Sequence, residues 1–248
     1  MTRRWFGLLF FSVCSFAIVT ACGGGESRPG PLEHRFENMH IAHLPQEDQQ
    51  DVFRAQTEFN KAQAARAKAN ADYEQATTDL DVARNEAKAA ILEEDSANSQ
   101  KKAAEKRGNM NEVNQKNLVA IAAKMSRQAA DKKVKYMEAR RKYRKDFLNY
   151  TEDQMYAAEA RYELTKARLA QQKNIRPKDF SLEKYQQQDE ARARYVQKTR
   201  GAIERKKSEV ERLKSEWKQM EGQARKSKDE AGGGASAGDV DDVGGDVQ

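Results

Sequence analysis

The chain has 248 residues, of which 34% are charged and 8% aromatic, with two cysteines and a mean hydropathy of −0.99. Lys and Arg number 45 against 39 Asp and Glu, a formal net charge of +6. So polar a composition excludes a wide globular core and suits long helices packed along narrow seams.

Residues 1–21 read as a signal peptide. Arg3 and Arg4 form a basic start, and residues 5–19, "WFGLLFFSVCSFAIV", form an apolar run too short to span a bilayer comfortably. An uncleaved anchor helix is the competing reading. Thr20 and Ala21 are the small residues that precede a peptidase cut, and Cys14 would be discarded with the leader. Cys22 is then the one cysteine of the mature chain, so no intramolecular disulfide forms. Its glycine neighbours supply neither a base nor a metal ligand.

Val19-Thr20-Ala21-Cys22 resembles the lipobox of bacterial lipoprotein precursors: an aliphatic residue, two small residues, then cysteine. The resemblance covers about the first 22 residues. It implies cleavage between Ala21 and Cys22, a thioether-linked diacylglycerol on the Cys22 sulfur, and usually a third acyl chain on the new amino group. One acyl chain binds a bilayer marginally, whereas two or more anchor it stably. Gly23 stands where many such lipoproteins carry the aspartate that retains them in the inner membrane. The resemblance therefore implies attachment to an outer membrane on its periplasmic side, with surface display left open.

Residues 22–46 contain Gly23, Gly24, Gly25, Pro29, Gly30, Pro31 and Pro45 without a sustained apolar period, which predicts a flexible linker. His34, His40 and His43 fall in it and lack the Cys or carboxylate partners of a recurrent metal site. They are expected to be solvated, and no metal or other cofactor is expected.

The body, residues 47–228, has Pro177 as its one proline and very few glycines. Three helices are expected, over about 47–107, 110–174 and 181–228. Ala55, Ala62, Ala69, Ala76, Ala83, Ala90, Ala97 and Ala104 recur at every seventh position, a register that asks for a close partner helix. A second series runs Ala122, Ala129, Tyr136, Tyr143, Tyr150, Ala157 and Leu164. Gly108 can end the first helix, and Asn109 or Asn111 can cap the next. Folding the chain there pairs positions that sum to 219. Ala83 is then expected opposite Tyr136, Phe59 opposite Ala160, and Arg66 opposite Asp153.

Charge supports this antiparallel hairpin. Residues 124–145 hold ten Lys/Arg and two acids, and the register sets them beside residues 74–95, which hold seven acids and two bases. Such a basic run can signal nucleic-acid binding, but the facing acids account for it, and no nucleic acid is expected. The tip, about 95–117, is almost wholly polar, with Met110 its expected apolar contact.

Pro177 and Asp179 end the second helix, and Ser181 can cap the third. Its seam is Leu182, Tyr185, Val196, Ile203, Val210, Leu213, Trp217, Met220 and Ala224, interrupted by Asp189, Arg192 and Lys206. This helix is expected either to fold back on the hairpin or to pair with its copy in a homo-oligomer. Residues 229–248, with six acids, no base and six glycines, read as a disordered tail.

The fold class is thus all-α: a long antiparallel coiled-coil hairpin plus a third coiled-coil helix. No phosphate loop and no Ser/His/Asp set can be assembled, so no catalytic residue is nominated and no enzyme activity is expected. Two functions remain. One is a membrane-anchored periplasmic spacer or scaffold of the cell envelope. The other is a helical-hairpin adaptor of an envelope transport or secretion assembly, although the β-rich segments that flank such hairpins in periplasmic adaptors are missing. Partners are accordingly the bilayer through acylated Cys22, an envelope protein, or cell-wall material. Murein lipoproteins end in a lysine that is joined to the wall, whereas this sequence ends Val247-Gln248, so wall contact is expected to be non-covalent.

Overall fold

Three long helices follow one another: α1 (Gln50–Arg107), α2 (Met110–Gln172) and α3 (Leu182–Gly233). The computed structural model describes residues 28–233, so residues 1–27, with the expected signal peptide and Cys22, and residues 234–248 lie outside the described residues. Among the described residues there is no strand, and no helix is long and apolar enough to cross a membrane. The protein is all-α, as its sequence indicates.

The turn between α1 and α2 is two residues long. Gly108 takes φ 75°, a left-handed conformation that glycine adopts without steric cost, and this ends α1. Asn109 caps α2, its side chain accepting from the backbone N–H groups of Asn111 and Glu112. At the far end, Ile175 N–H donates to the Ala170 carbonyl, and Asn174 and Asp179 adopt left-handed φ on either side of Pro177. With 63 residues at about 1.5 Å each, α2 extends about 95 Å.

α1 and α2 form the antiparallel hairpin. The alanine row of α1 is buried from Ala69 through Ala104, while Ala55 and Ala62 stay half-buried. Ala83 and Ala104 are 0% exposed, because small side chains let the two backbones approach closely. Cross-helix ion pairs flank this seam: Asp72–Arg144 at 3.0 Å, Asp79–Arg140 and Glu86–Lys133 on one side, Arg66–Glu152 at 3.1 Å and Arg84–Glu138 at 3.0 Å on the other. Their residue numbers sum to within three of 219, so the axial register is the one the sequence implies. The acidic stretch of α1 neutralises much of the basic stretch of α2.

The aromatic residues of α2 meet both of its neighbours. Tyr136 stacks on Trp217 of α3, with ring centroids 5.4 Å apart. Phe59 stacks on Tyr162 at 6.3 Å, and Arg66 pairs with Glu152 rather than with Asp153, which pairs with Arg28. α1 and α3 pack on opposite flanks of α2, so its apolar residues serve two seams.

α3 folds back along α2 within the same chain, which uses the seam that a second copy could have used. Ile203, Val210 and Ala224 are buried. The polar interruptions of the seam are matched one by one: Lys206 pairs with Asp146, Arg192 donates to the Gly30 carbonyl, and Asp189 lies 3.7 Å from Arg161. Near the tip, Lys228 reaches Glu93 of α1 at 3.6 Å. α3 runs on to Gly233, so residues 229–233 of the stretch read as a tail are helical.

Candidate functional site at the base of the rod

Residues 28–46 were expected to be a flexible linker, and the structure corrects this. They form a strap laid along α2, covering the gap between α1 and α3 at the base. Leu32, Phe36 and Ile41 are buried, and Phe36 and Ile41 join Val52, Tyr162, Ala167, Leu169 and Ala170 in one cluster. These three apolar residues, four and five apart in a proline- and glycine-rich stretch, were the available signal. No helix or strand period flags them, because the strap follows a groove rather than a repeat.

Polar contacts fix the strap along its length. The Arg28 guanidinium donates to Asp153 at 2.7 Å, to Glu152 at 2.8 Å and to the Asn149 carbonyl at 2.9 Å. The Gln188 side chain accepts from the backbone N–H groups of Glu33 and His34, both at 3.1 Å, and donates to the His34 carbonyl at 3.0 Å. Arg35 pairs with Glu159 at 2.9 Å.

The deepest contact is an ion pair. Lys166 and Glu163 sit 2.8 Å apart, with side chains 4% and 7% exposed. Besides this pairing, the Lys166 ammonium donates to the Phe36 carbonyl at 2.7 Å and to the Asn38 side-chain oxygen at 2.9 Å. Two of its three protons thus go to oxygens of the strap, and the Glu163 carboxylate balances its charge. Glu163 in turn accepts from the Phe36 N–H at 2.6 Å, and the Tyr162 ring lies 4.3 Å from the ammonium. The pair thus holds both backbone groups of Phe36 while the phenyl ring packs edge-on against Phe180 and Tyr185.

The three histidines are not brought together. His34 lies edge-on to Tyr185, His40 lies edge-on to Phe36 and 3.7 Å from Glu37, and His43 is exposed. Among the described residues no group of three or more His, Cys, Asp or Glu is placed to hold a metal.

Opposite the strap, the gap between α1 and α3 is an open groove of about 1200 Å³. Its floor includes Ala157, Ala158 and Thr165 of α2, and Arg161, Arg168 and Arg200 stand among its walls with Asp51 and Glu58. Asp189, at the margin of the α2–α3 seam, has a buried carboxylate oxygen with no hydrogen bond. Burial pushes its carboxyl above the ordinary aspartate value of 3.8, and Arg161 and Arg168 offset only part of that. A raised carboxyl pKa means that the folded chain binds the proton more tightly than the unfolded chain. The charged form therefore opposes folding above the folded pKa, and stability is recovered as pH falls toward 3.8. Asp189→Asn is expected to raise the denaturation midpoint at neutral pH and to make no difference below pH 3.8, which denaturant titrations at the two pH values would check.

The base of the rod thus combines a clamped strap, a buried ion pair and an open groove. Comparison of the chain with protein-family models, with curated proteins and with solved structures finds no match in any of the three.

Proposed function

We propose that the protein is a lipid-anchored coiled-coil spacer or scaffold on the periplasmic side of a bacterial outer membrane. The observation that carries this reading is the use of side chains along the rod. The seams of α1, α2 and α3 are spent on packing the helices against one another, and the strap clamps the start of the described chain onto them. The lipobox-like Val19-Thr20-Ala21-Cys22 supplies the anchor, with Cys22 as acylation site and Ala21–Cys22 as the cleaved bond.

Two experiments test it. Cys22→Ser should leave an unprocessed or soluble chain, and normal maturation with unchanged membrane fractionation would refute the anchor. For the scaffold, matched fourteen-residue deletions of 76–89, 130–143 and 207–220 keep the heptad phase of all three helices and shorten the rod by about 21 Å. The cellular defect should follow length.

A second reading, an adaptor that docks by its tip, is favoured by apolar exposure. Met110 at the tip is 69% exposed, as expected, and Leu92, Leu118 and Ile121 lie open just outside it. Met110→Ser that abolishes function at normal abundance and localisation would select the adaptor.

A further inference from the structure

The strap decides where the membrane attachment leaves the rod. It runs along α2 so that Arg28, held by Asp153 and Glu152, lies nineteen residues from the Gln172 end, or about 28 Å up from the base. Cys22 is six residues before Arg28, and six residues span at most about 22 Å however they are arranged. An anchored Cys22 therefore cannot reach past the base of an upright rod, still less past its tip. The rod must lean over, with its strap side toward the bilayer.

That side is chemically suited to a lipid surface. The strap rests on two heptad rows of α2, one through Asn149 and Glu163 and one through Glu152, Glu159 and Lys166. Continued toward the tip, the same rows carry Lys142 and Lys135, and Lys145 and Lys124. These four lysines are exposed. The acids in these continued rows, Glu138 and Asp131, pair with Arg84 at 3.0 Å and Arg127 at 3.7 Å, arginines that also pair with Asp81 and Glu94 of α1. The first row ends in exposed Ile121. The four exposed lysines extend over about 32 Å of this face, from Lys145 to Lys124, and outnumber the two acids of the same rows.

Resting on the lipid-anchor reading, we infer that this face of α2 lies on an anionic phospholipid bilayer, so that the protein is a rod laid along the membrane rather than a post standing on it. Cations near an anionic surface each strengthen binding, and the attraction is screened within a Debye length. The groove on the opposite side of α2 then opens away from the bilayer.

The test uses the chain from residue 22 onward with Cys22→Ser, which keeps every described residue and carries no lipid. It should sediment with vesicles of phosphatidylglycerol and phosphatidylcholine, release at high salt, and leave pure phosphatidylcholine vesicles unbound. The variant Lys124→Gln, Lys135→Gln, Lys142→Gln, Lys145→Gln should keep the helical circular-dichroism signal and bind at least about tenfold more weakly. Equal binding by the variant overturns the inference, as does equal binding to neutral vesicles. Retention by purified cell-wall sacculi or inhibition by free phosphate, without vesicle binding, also overturns it. Because this chain lacks Cys22, its result is separate from the maturation experiment that tests the anchor.

Discussion

Lys166→Ala should destabilise the protein by about 3–5 kcal/mol, because it leaves the buried Glu163 carboxylate without its partner. The Phe36 carbonyl and the Asn38 side chain lose their donor at the same time. The strap should then detach before the helices melt, since α1, α2 and α3 pack on one another independently of Lys166 along most of their length. Limited proteolysis should cut residues 28–46 in the variant and spare them in the parent, and denaturant titration gives the cost. Replacing both partners, Lys166→Met with Glu163→Leu, should cost less than the single change, because no charge is left unpaired. A single variant as stable as the parent, with a protected strap, would show that the pair does not hold the base.

The alanine seam should be equally intolerant, in both directions of size. Ala83 is fully buried in the seam of α1, and Ala83→Leu should cost about 1–3 kcal/mol as the added carbons force the helices apart. Leu80, one turn away and 1% exposed, should cost about 2–5 kcal/mol on truncation to alanine, because a rigid seam collapses poorly around a void. The same Ala→Leu change at exposed Ala89 should stay within about 0.5 kcal/mol, since it meets water. Denaturation midpoints of the three variants, with the helical signal as readout, check the set. An Ala83→Leu variant as stable as the Ala89→Leu control would mean that the hairpin is looser than its alanine spacing requires.

Much of this molecule is local, and the sequence by itself determined that part. Gly108 supplies the left-handed turn and Asn109 the cap, so the hairpin folds where these two residues stand. The seven-residue alanine row marks the face of α1, and opposite charges at matched heights set the axial register, as the Asp79–Arg140 and Glu86–Lys133 pairs show. Each of these rests on residues a few positions apart or on one repeat facing one partner.

The tertiary structure alone decided the rest. A helix between two partners carries apolar residues on two flanks, and a heptad row does not say which neighbour it serves; the stack of Tyr136 on Trp217 of α3 is therefore not legible in the row itself. Seam residues such as Ile203 and Val210 would pack as well against a second copy as against α2, and only the folded chain selects α2. The strap is the clearest case. Leu32, Phe36 and Ile41 follow the groove between α1 and α3, a surface made by helices far away in sequence. The Lys166–Glu163 pair that holds Phe36 is, in the sequence, one more i,i+3 pair on a charged helix. Burial under the strap, which no local pattern encodes, is what makes it a lock.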